Sequence, residues 1–292
     1  MKLSIISLNY KKPHQAIACM ASLWQQYKKE FSENEFEYII VDNFSQDESV
    51  SLLQKEVKKY KNFQVLANTK NGGFGAGNNL GEAKAKGKYL LFLNDDTIVE
   101  DKGISKMLIY LQEHTKIGAL GGKLLNINGT EQSTAGKFYS LFSVTLYLLG
   151  LQRLGVVDKN PQTIQEVDWL KGALLMIKKD VFEKVGKFDE HIFMYTEDME
   201  LCFRIHLLGL KCIFFPDITI RHKDQGSTNR AFAIVNIYKN LPYFYKKHKS
   251  SFEYNYIKLL LFIKAYLLKI VGKFLHNTYL IDTYTQALKA IT

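Results

Sequence analysis

The sequence predicts an α/β fold in which a mostly parallel sheet is flanked by helices. Four short apolar runs recur early in the chain, longer amphipathic stretches separate them, and polar residues follow each run. This alternation is typical of βαβ units. With 292 residues, 47% of them apolar, the chain has enough apolar sequence for a large core, which excludes a disordered protein and a small disulfide scaffold.

The four apolar runs are predicted as strands buried on both faces, because their apolar residues follow one another without alternation. They are 3–7, 38–41, 63–66 and 89–93. The crossover helices are predicted at 13–27, 46–60 and 76–86. Ligands of such sheets bind beyond the carboxyl ends of the strands, so the residues there are the candidate site residues.

Polar side chains stand at all four of these strand ends. They are Asn9, Asp42 with Asn43, the asparagines of the glycine-rich segment 71–81, and Asn94-Asp95-Asp96. Each also has a purely structural interpretation, in which Asp42 and Ser45 form a turn and Asn94-Asp95-Asp96 starts a helix. Their recurrence at every strand end favours a functional crevice.

The glycine-rich segment NGGFGAGNNLG matches neither common phosphate-binding motif. G-x-x-x-x-G-K-[ST] is absent, and Leu80 stands where G-x-G-x-x-G requires glycine. The glycines are therefore interpreted as places where the backbone comes close to a ligand or to a neighbouring strand.

Asn94-Asp95-Asp96 offers up to two carboxylates and one amide at the mouth of a buried strand. Oxygen ligands of this kind suit Mg²⁺ or Mn²⁺, which take the rest of their shell from water and substrate phosphates. A metal bound there would stabilise the charge on a departing diphosphate.

His222 ends another apolar run, and Mn²⁺ accepts a histidine beside carboxylates, although most histidines are not ligands.

Glu197 and Asp198 open a helical pattern and lie in its first turn, where the helix dipole favours an ionised carboxylate. A carboxylate that is charged at neutral pH serves as a general base. Adjacent helical residues point about 100° apart, so one of the two faces the site, and the spacing does not choose between them. The alternative is that both acids are ordinary first-turn residues of a helix and belong to no functional site. Glu200 and Arg204 are predicted to form an ordinary surface pair.

Three cysteines, Cys19, Cys202 and Cys212, lie in apolar stretches and are predicted as reduced packing residues of a cytoplasmic protein. The N-terminus lacks the apolar core of a signal peptide, which supports the same compartment. The uncharged segment 138–152 is too short to span a membrane, so it predicts a buried helix or a lip that contacts lipid or an apolar acceptor.

The formal net charge of +10 is unevenly distributed along the chain. Residues 236–292 hold nine lysines and two acidic residues, so this tail carries a net charge of +7. Within it, 253–275 combines apolar and aromatic residues with lysines at helical intervals, which predicts a helix lying on an anionic membrane surface. The alternative is a helix packed on the rest of the chain or on a dimer partner, with its lysines in solvent.

The chain resembles the inverting family 2 glycosyltransferases of GT-A fold, most of all their bacterial rhamnosyltransferase-like members. The similar segments, in family order, are SIISLNY, IIVDNFSQDES, NGGFGAGNNLGEAKAKGKYLLFLNDDT, WLKGALLMIKKDVFEKVGKFDE, EDMELCFRIHLLGLK and HKDQGS. The resemblance implies a nucleotide-sugar donor such as dTDP-rhamnose or a UDP-sugar, and a divalent metal, Mn²⁺ or Mg²⁺. It also implies direct displacement at the anomeric carbon by an acceptor hydroxyl.

The resemblance further implies a role for each candidate residue. The donor-binding residues are Asn9, Asp42, Asn78, Asp95, Trp169 and Gly172, the metal ligands are Asp96, Asn94 and His222, and the general base is Asp198, with Glu197 as the fallback. Asn94 departs from the family's D-x-D pattern, which has aspartate at this first position.

Three parts of the chain are predicted to differ in function. They are a nucleotide-sugar-binding half (1–100), an acceptor-binding and catalytic half (101–235) and a basic, amphipathic helical tail (236–292). The predicted partners are the nucleotide-sugar donor, a glycan or lipid-linked oligosaccharide acceptor, and the anionic cytoplasmic face of the inner membrane. A homodimer is left open, and nucleic acid is not expected.

Two other functions are weighed against glycosyl transfer. A nucleotidyltransferase needs a basic, glycine-containing loop after the first strand, where only Lys11 and Lys12 stand. A noncatalytic nucleic-acid-binding module needs basic residues and aromatics on a solvated face, and the tail is too apolar for that.

Overall fold

The computed structural model describes residues 1–137, 140–149, 161–223 and 229–291. The strands are β1 (Leu3–Asn9), β2 (Phe36–Asp42), β3 (Phe63–Ala67), β4 (Tyr89–Leu93), β5 (Thr97–Val99), β6 (Ile117–Leu125), β7 (Ala135–Gly136), β8 (Gln165–Val167), β9 (Trp169–Leu170), β10 (Leu174–Lys178) and β11 (Lys211–His222). The helices are α1 (Pro13–Ser32), α2 (Ser49–Val57), α3 (Gly73–Glu82), α4 (Gly103–Glu113), α5 (Leu141–Leu148), α6 (Lys179–Lys184), α7 (Glu197–Leu207), α8 (Arg230–His248), α9 (Ser251–Phe274) and α10 (Thr278–Ile291). The four predicted strands and three predicted crossover helices correspond to β1–β4 and α1–α3.

One large sheet positions the candidate site residues. Its strand order is β3-β2-β1-β4-β10-β6-β11-β5, with β8 also paired to β11. β1 to β4 run parallel, and β6 and β11 run the same way, whereas β10, β5 and β8 run antiparallel to their neighbours. The predicted sheet of mostly parallel strands flanked by helices is confirmed.

Helix α3 packs so closely on β1 that a Cβ at either of two glycine positions would overlap a side chain of that strand. A Cβ at Gly77 would lie 2.3 Å from Leu8 Cδ1, and one at Gly81 would lie 2.5 Å from Ile6 Cγ2. The interpretation of the glycine-rich segment as a close approach to a neighbouring strand is therefore confirmed.

Apolar side chains fill the space between α1 and the first strands. Trp24, Phe31 and Phe63 form ring pairs with centroids 4.6–6.1 Å apart, a geometry worth about 0.5–1.5 kcal/mol per pair beyond simple burial. The three cysteines are buried and form no disulfide, as predicted.

The described residues fall into two compact units. Unit 1 takes its residues from 1–136, 158–191 and 197–227 and contains the whole large sheet. Unit 2 takes its residues from 137–157, 192–196 and 228–292. These boundaries follow packing, so the functional division predicted at residues 100 and 235 stays a prediction.

Unit 2 is helical, and its longest helix, α9, packs on α8, α10 and α5. The predicted tail helix at 253–275 thus exists. In α5, Val144 is fully buried but Phe142 is 69% exposed, so this part of the uncharged segment is only half-buried. Positions 138, 139 and 150–152 of that segment lie outside the described residues. In the part of the chain that the structure describes, no helix is long and apolar enough to cross a membrane.

Candidate active site

The turn between β4 and β5 carries Asn94-Asp95-Asp96 beyond the carboxyl end of β4. Because a strand follows at once, the interpretation of these residues as a helix start is wrong. The Asn94 N–H donates to the Ala173 carbonyl oxygen at 3.1 Å, and the Thr97 hydroxyl donates to the Asn94 carbonyl oxygen at 2.7 Å. We call this segment the carboxylate turn.

His222 reaches the carboxylate turn from the end of β11, where it pairs with Thr97 of β5. Its Nε2 lies 3.0 Å from Asp96 Oδ1 and 3.1 Å from Asn94 Nδ2, and its side chain is buried. The structure therefore brings the three predicted metal ligands together from positions far apart in the sequence. Of the HKDQGS segment, only His222 and Lys223 are among the described residues.

Gln132 holds His222 at two points, and no sequence motif marks it as a site residue. Gln132 Oε1 lies 2.7 Å from His222 Nδ1, and Gln132 Nε2 donates to the His222 carbonyl oxygen at 3.1 Å. The two residues are 90 positions apart, and Gln132 lies in an irregular part of the sequence. No periodic signal points to the contact.

The carboxylates at this turn lack the hydrogen bonds that buried acids usually have. Asp95 Oδ2 and Asp96 Oδ1 are buried and accept none from the described residues. Burial and the neighbouring charge of Asp96 raise the pKa of Asp95 well above its usual range, while Lys12 opposes this rise. Asp96 Oδ1 and His222 Nε2 form an ion pair only when the imidazole is doubly protonated. When the proton sits on Nδ1 alone, the Nε2 lone pair accepts from the Asn94 amide and also faces a lone pair of Asp96 Oδ1.

These unsatisfied atoms fit a divalent cation, which would relieve the repulsion among the carboxylates and the imidazole lone pair. Carboxylate oxygens suit Mg²⁺ and Mn²⁺, and the imidazole suits Mn²⁺. Asn94 turns its Nδ2, not its amide oxygen, toward His222. Within the described ranges, no three His, Cys, Asp or Glu side chains converge tightly enough to hold a metal by themselves. The protein would therefore supply part of the coordination shell and leave the rest to water and a diphosphate.

Glu197 and Asp198 begin α7, as predicted, but they differ in accessibility. Asp198 is partly exposed, and its carboxylate accepts the N–H groups of Gly172 at 3.0 Å and Met199 at 2.8 Å. Glu197 is only 6% exposed, and its buried Oε2 accepts no hydrogen bond from the described residues. Burial raises the pKa of both acids, and on Asp198 the two N–H groups oppose the rise. Accessibility thus favours Asp198 as the base.

Glu200 and Arg204 do not form the predicted surface pair. Glu200 is fully buried, and the Arg204 guanidinium donates to both of its carboxylate oxygens at 2.6–2.9 Å. The same guanidinium also donates to the carbonyl oxygens of Val185 and Lys187. The pair ties α7 to the end of α6. The spacing of four residues predicts contact but carries no information about burial.

The turn between β9 and β10 links the two groups of acids. Gly172 donates to Asp198, and the next residue, Ala173, accepts the N–H of Asn94. A Cβ at Gly172 would lie 3.1 Å from the Phe74 ring and 3.5 Å from Asp198 Cβ. Trp169 lies in β9, just before this turn, and is partly buried. Its indole N–H has no acceptor among the described residues.

Asp42 forms the turn that the structural interpretation described. Its Oδ2 accepts from Asn9 Nδ2 and the Ser45 hydroxyl, both at 2.7 Å, and its Oδ1 accepts the Ser45 N–H at 3.0 Å. Asp42 and Asn9 are both buried. Their predicted contact with a nucleotide stays a prediction.

Asn78 is also buried and donates its amide to the Phe74 carbonyl oxygen at 2.9 Å within α3. The neighbouring Asn79 accepts the Phe188 N–H at 3.1 Å and donates to the Phe188 carbonyl oxygen at 2.9 Å. Asn79 therefore joins α3 to the loop after α6. Two adjacent asparagines in one helix have different partners, which the sequence does not reveal.

Residues 4–185, more than half of the chain, match the family model described as glycosyl transferase family 2. Among curated proteins, the chain is similar to rhamnosyltransferase WbbL of Escherichia coli K12, with 28% identity over 171 residues, covering 55% of this chain and 64% of WbbL. It is also similar to N-acetylglucosaminyl-diphospho-decaprenol L-rhamnosyltransferase of Mycobacterium tuberculosis H37Rv, with 26% identity over 222 residues, covering 68% and 70%. The match to WbbL thus spans slightly less than two thirds of that protein.

Solved structures share the fold at low identity. GalNAc-T7 with UDP, GalNAc and Mn²⁺ superposes with a TM-score of 0.62 at 16% identity, covering 85% of this chain and 51% of that one. Staphylococcus aureus TarS 1-349 superposes with a TM-score of 0.56 at 16% identity, covering 99% and 91%. The predicted GT-A fold is confirmed.

Proposed function

The chain belongs to glycosyl transferase family 2, and we propose that it is an inverting enzyme that moves a sugar from a nucleotide diphosphate to an acceptor hydroxyl. One observation carries the proposal. The Gly172-Ala173 turn joins the candidate base Asp198 to Asn94 of the carboxylate turn through two backbone hydrogen bonds. The family match gives no support to the nucleotidyltransferase or the nucleic-acid-binding alternative.

Asp198 is the proposed general base. It takes the proton of the acceptor hydroxyl while the hydroxyl oxygen forms a bond to the anomeric carbon. The bond from that carbon to the diphosphate oxygen breaks, and its electron pair leaves with the diphosphate. The raised pKa makes Asp198 a stronger base than a free aspartate, and the Gly172 N–H keeps its carboxylate oriented. Because one direct displacement occurs, the configuration inverts, in contrast to the two-step scheme of retaining glycosidases.

Asp96 and His222, with Asn94 and Asp95 beside them, would hold the divalent cation, Mn²⁺ or Mg²⁺. When bound, this cation offsets the negative charge of the leaving diphosphate. The hydrogen bond from Asn94 to Ala173 fixes the carboxylate turn against β10, so these side chains keep their positions relative to Asp198.

We assign the nucleotide to the carboxyl ends of β1 and β2 and to the middle of α3, near Asn9, Asp42 and Asn78. Asp42 Oδ1 accepts the Ser45 N–H and has a second lone pair for a donor such as N3–H of uracil or thymine. Since Asp42 is 1% exposed, binding requires the side chains above it to shift. The indole N–H of Trp169 and the Gly172 backbone are assigned to the sugar. The proposed donor is dTDP-rhamnose or a UDP-sugar, because two similar proteins are named rhamnosyltransferases.

The proposed acceptor is a glycan or lipid-linked oligosaccharide in surface polysaccharide synthesis, at the cytoplasmic face of an anionic membrane. Helix α9 supports this setting, because it exposes a continuous apolar stripe. The stripe consists of Leu259, Phe262, Ile263, Tyr266, Leu267, Ile270 and Phe274, which are 45–85% exposed. Ile257, Leu261 and Ala265, on the opposite side of the helix, are fully buried.

Lysines border this stripe on one side. At about 100° per residue, Lys258 and Lys269 fall along that border and Lys273 falls just inside it, whereas Lys264 lies nearer the buried side, where burial lowers its pKa. Lysines in these positions extend their charged ends to anionic headgroups while the stripe enters the acyl boundary. Residues 254–281 contain four lysines and no acidic residue, so pairing of α9 with α9 of a second copy would bring lysine near lysine. The lipid surface is therefore the occupant we propose.

Donor hydrolysis without acceptor tests the proposed activity. UDP- and dTDP-sugars are incubated one at a time with the full chain and Mn²⁺ or Mg²⁺, and release of the nucleoside diphosphate is measured. We expect slow hydrolysis of one donor that stops when the metal is chelated. Release of nucleoside monophosphate and pyrophosphate from a triphosphate, with every sugar donor intact, would instead indicate the nucleotidyltransferase.

A further inference from the structure

The side-chain amide of Gln132 has only one orientation that satisfies its neighbours. Its Nε2 donates to Asn126 Oδ1 at 2.8 Å and to the His222 carbonyl oxygen at 3.1 Å. The Asn126 amide is itself oriented, because its Nδ2 donates at 2.9 Å to Thr130 Oγ1, whose own hydrogen is donated to Asn128 Oδ1 at 2.7 Å. A flipped Gln132 would place an oxygen against both acceptors, so Oε1 must face His222 Nδ1.

This orientation decides where His222 carries its proton. Gln132 Oε1 only accepts hydrogen bonds, and it lies 2.7 Å from Nδ1, so Nδ1 must carry a hydrogen. In the neutral ring the lone pair then sits on Nε2, the atom that lies 3.0 Å from Asp96 Oδ1 and accepts from Asn94 Nδ2 at 3.1 Å. A metal-ligating imidazole needs that lone pair, and the hydrogen bond made by the other ring nitrogen selects it.

Because both residues are buried, the tautomer of His222 depends on Gln132 and not on water. Gln132 is 7% exposed and His222 is 2% exposed, so water has little access to Nδ1 if the amide is lost. The Lys171 ammonium also donates to Gln132 Oε1 at 3.3 Å, from the residue before Gly172. Gln132 thus lies between the imidazole and the turn that orients Asp198.

We infer that Gln132 is a positioning residue that fixes His222 in the Nδ1–H tautomer and directs the Nε2 lone pair toward the carboxylate turn. The tautomer is a property of the chain alone, whereas its use in metal binding rests on the proposed function. The alternative is that Gln132 only anchors the loop after β6 to β11. That role predicts a change in stability without a change in tautomer.

The test compares the full chain with Gln132→Met, which keeps the length of the side chain but removes the acceptor. Proton–nitrogen correlation spectra of ¹⁵N-histidine-labelled protein at pH 9 report the tautomer, and the His222→Gln variant identifies the His222 signals. We expect Nδ1–H in the unsubstituted protein and a shift toward Nε2–H in Gln132→Met. Free Mn²⁺ measured by electron paramagnetic resonance should show a Kd raised by about 10- to 100-fold.

Matched variants separate this effect from unfolding. Gln25→Met, at an exposed position of α1, should leave both readouts unchanged. Asn126→Ala removes one of the two acceptors that orient the Gln132 amide and leaves the His222 carbonyl oxygen as the other. It should therefore shift both readouts in the same direction by less, and it replaces Gln132→Met if that variant does not fold. The inference is overturned if the unsubstituted protein shows Nε2–H at His222, or if folded variants keep both the tautomer and the Mn²⁺ affinity. An Nδ1–H tautomer in a chain that binds no Mn²⁺ supports the inference and contradicts the metal-assisted function.

Discussion

Gly172 donates its backbone N–H to Asp198 Oδ2 at 3.0 Å, across 26 positions of the sequence. The carbonyl oxygen of the next residue, Ala173, accepts the N–H of Asn94 at 3.1 Å. One turn therefore fixes the candidate base and the carboxylate turn at the same time. Substitutions at this turn and at the two acids should have separable effects.

Replacing Asp198 by Asn removes the proton acceptor and keeps the size of the side chain. We expect kcat to fall by about 10²- to 10⁴-fold, the usual contribution of a general base, with nucleotide affinity nearly unchanged. Initial rates and calorimetric UDP titration measure the two quantities. Glu197→Gln is the matched control and should retain most of the activity. The opposite pattern, with Glu197→Gln inactive and Asp198→Asn active, would move the base to Glu197.

Adding one methyl group at Gly172 should disturb the base without touching substrate-binding side chains. In Gly172→Ala the new Cβ would press on the Phe74 ring at 3.1 Å, and overpacking of this kind costs about 1–3 kcal/mol. We expect a lower Tm and a lower kcat. The double variant Gly172→Ala with Phe74→Leu provides room and should recover part of both. If Phe74→Leu gives no recovery, the predicted contact is not the cause.

Glu197 should destabilise the folded protein when it is ionised. Burial and the charge of Asp198 raise its pKa well above the ordinary 4.5, so the folded state favours the protonated acid. The loss in the free energy of unfolding is complete above the folded-state pKa of Glu197 and absent below the ordinary pKa of glutamate. Each tenfold increase in the proton affinity of the folded-state carboxylate adds about 1.4 kcal/mol to this loss. Glu197→Gln should therefore raise the free energy of unfolding at pH 8, and this gain should shrink as the pH falls. A gain that is constant with pH, or a loss at pH 8, contradicts this account.

The exposed stripe of α9 should bind anionic vesicles. We expect the full chain to sediment with vesicles that contain anionic lipid, and less with zwitterionic ones. Phe262→Glu with Leu267→Glu should abolish this sedimentation, because charges would enter the acyl boundary. Ile109→Glu is the control, since Ile109 is an equally exposed apolar residue of α4. If the double variant still sediments but changes from dimer to monomer, the stripe is a subunit interface. Point substitutions are preferable to deletion after Ser250, because α8 packs against α9 and α10.

The strands and crossover helices of the first hundred residues are predictable because their signal is local. Each strand is a short apolar run, and each strand end carries its own polar residue, so Asn94, Asp96 and His222 are recognised as candidates one at a time. Their convergence follows from the parallel sheet, which places strand ends at one edge. The glycines of α3 are predictable for the same reason, since a close approach of backbone requires glycine at the contact itself.

The remaining features depend on partners distant in the sequence. Gln132 acquires its role from His222, 90 positions away, and its neighbours carry no periodic pattern. The spacing of Glu200 and Arg204 predicts their pairing, but their burial depends on how α7 meets the end of α6. Asp42 matches both a turn and a ligand contact, because the same carboxylate chemistry serves either, and only its three hydrogen bonds reveal the turn.

The configuration of the product tests the central claim most directly. The donor that the full chain hydrolyses is followed by proton NMR at the anomeric centre during the first turnovers, in parallel with Asp198→Asn. We expect the first product to have the anomeric configuration opposite to that of the donor, and Asp198→Asn to form almost none of it. A product that keeps the configuration of the donor, or an Asp198→Asn variant as fast as the unsubstituted chain, would contradict single displacement with Asp198 as base.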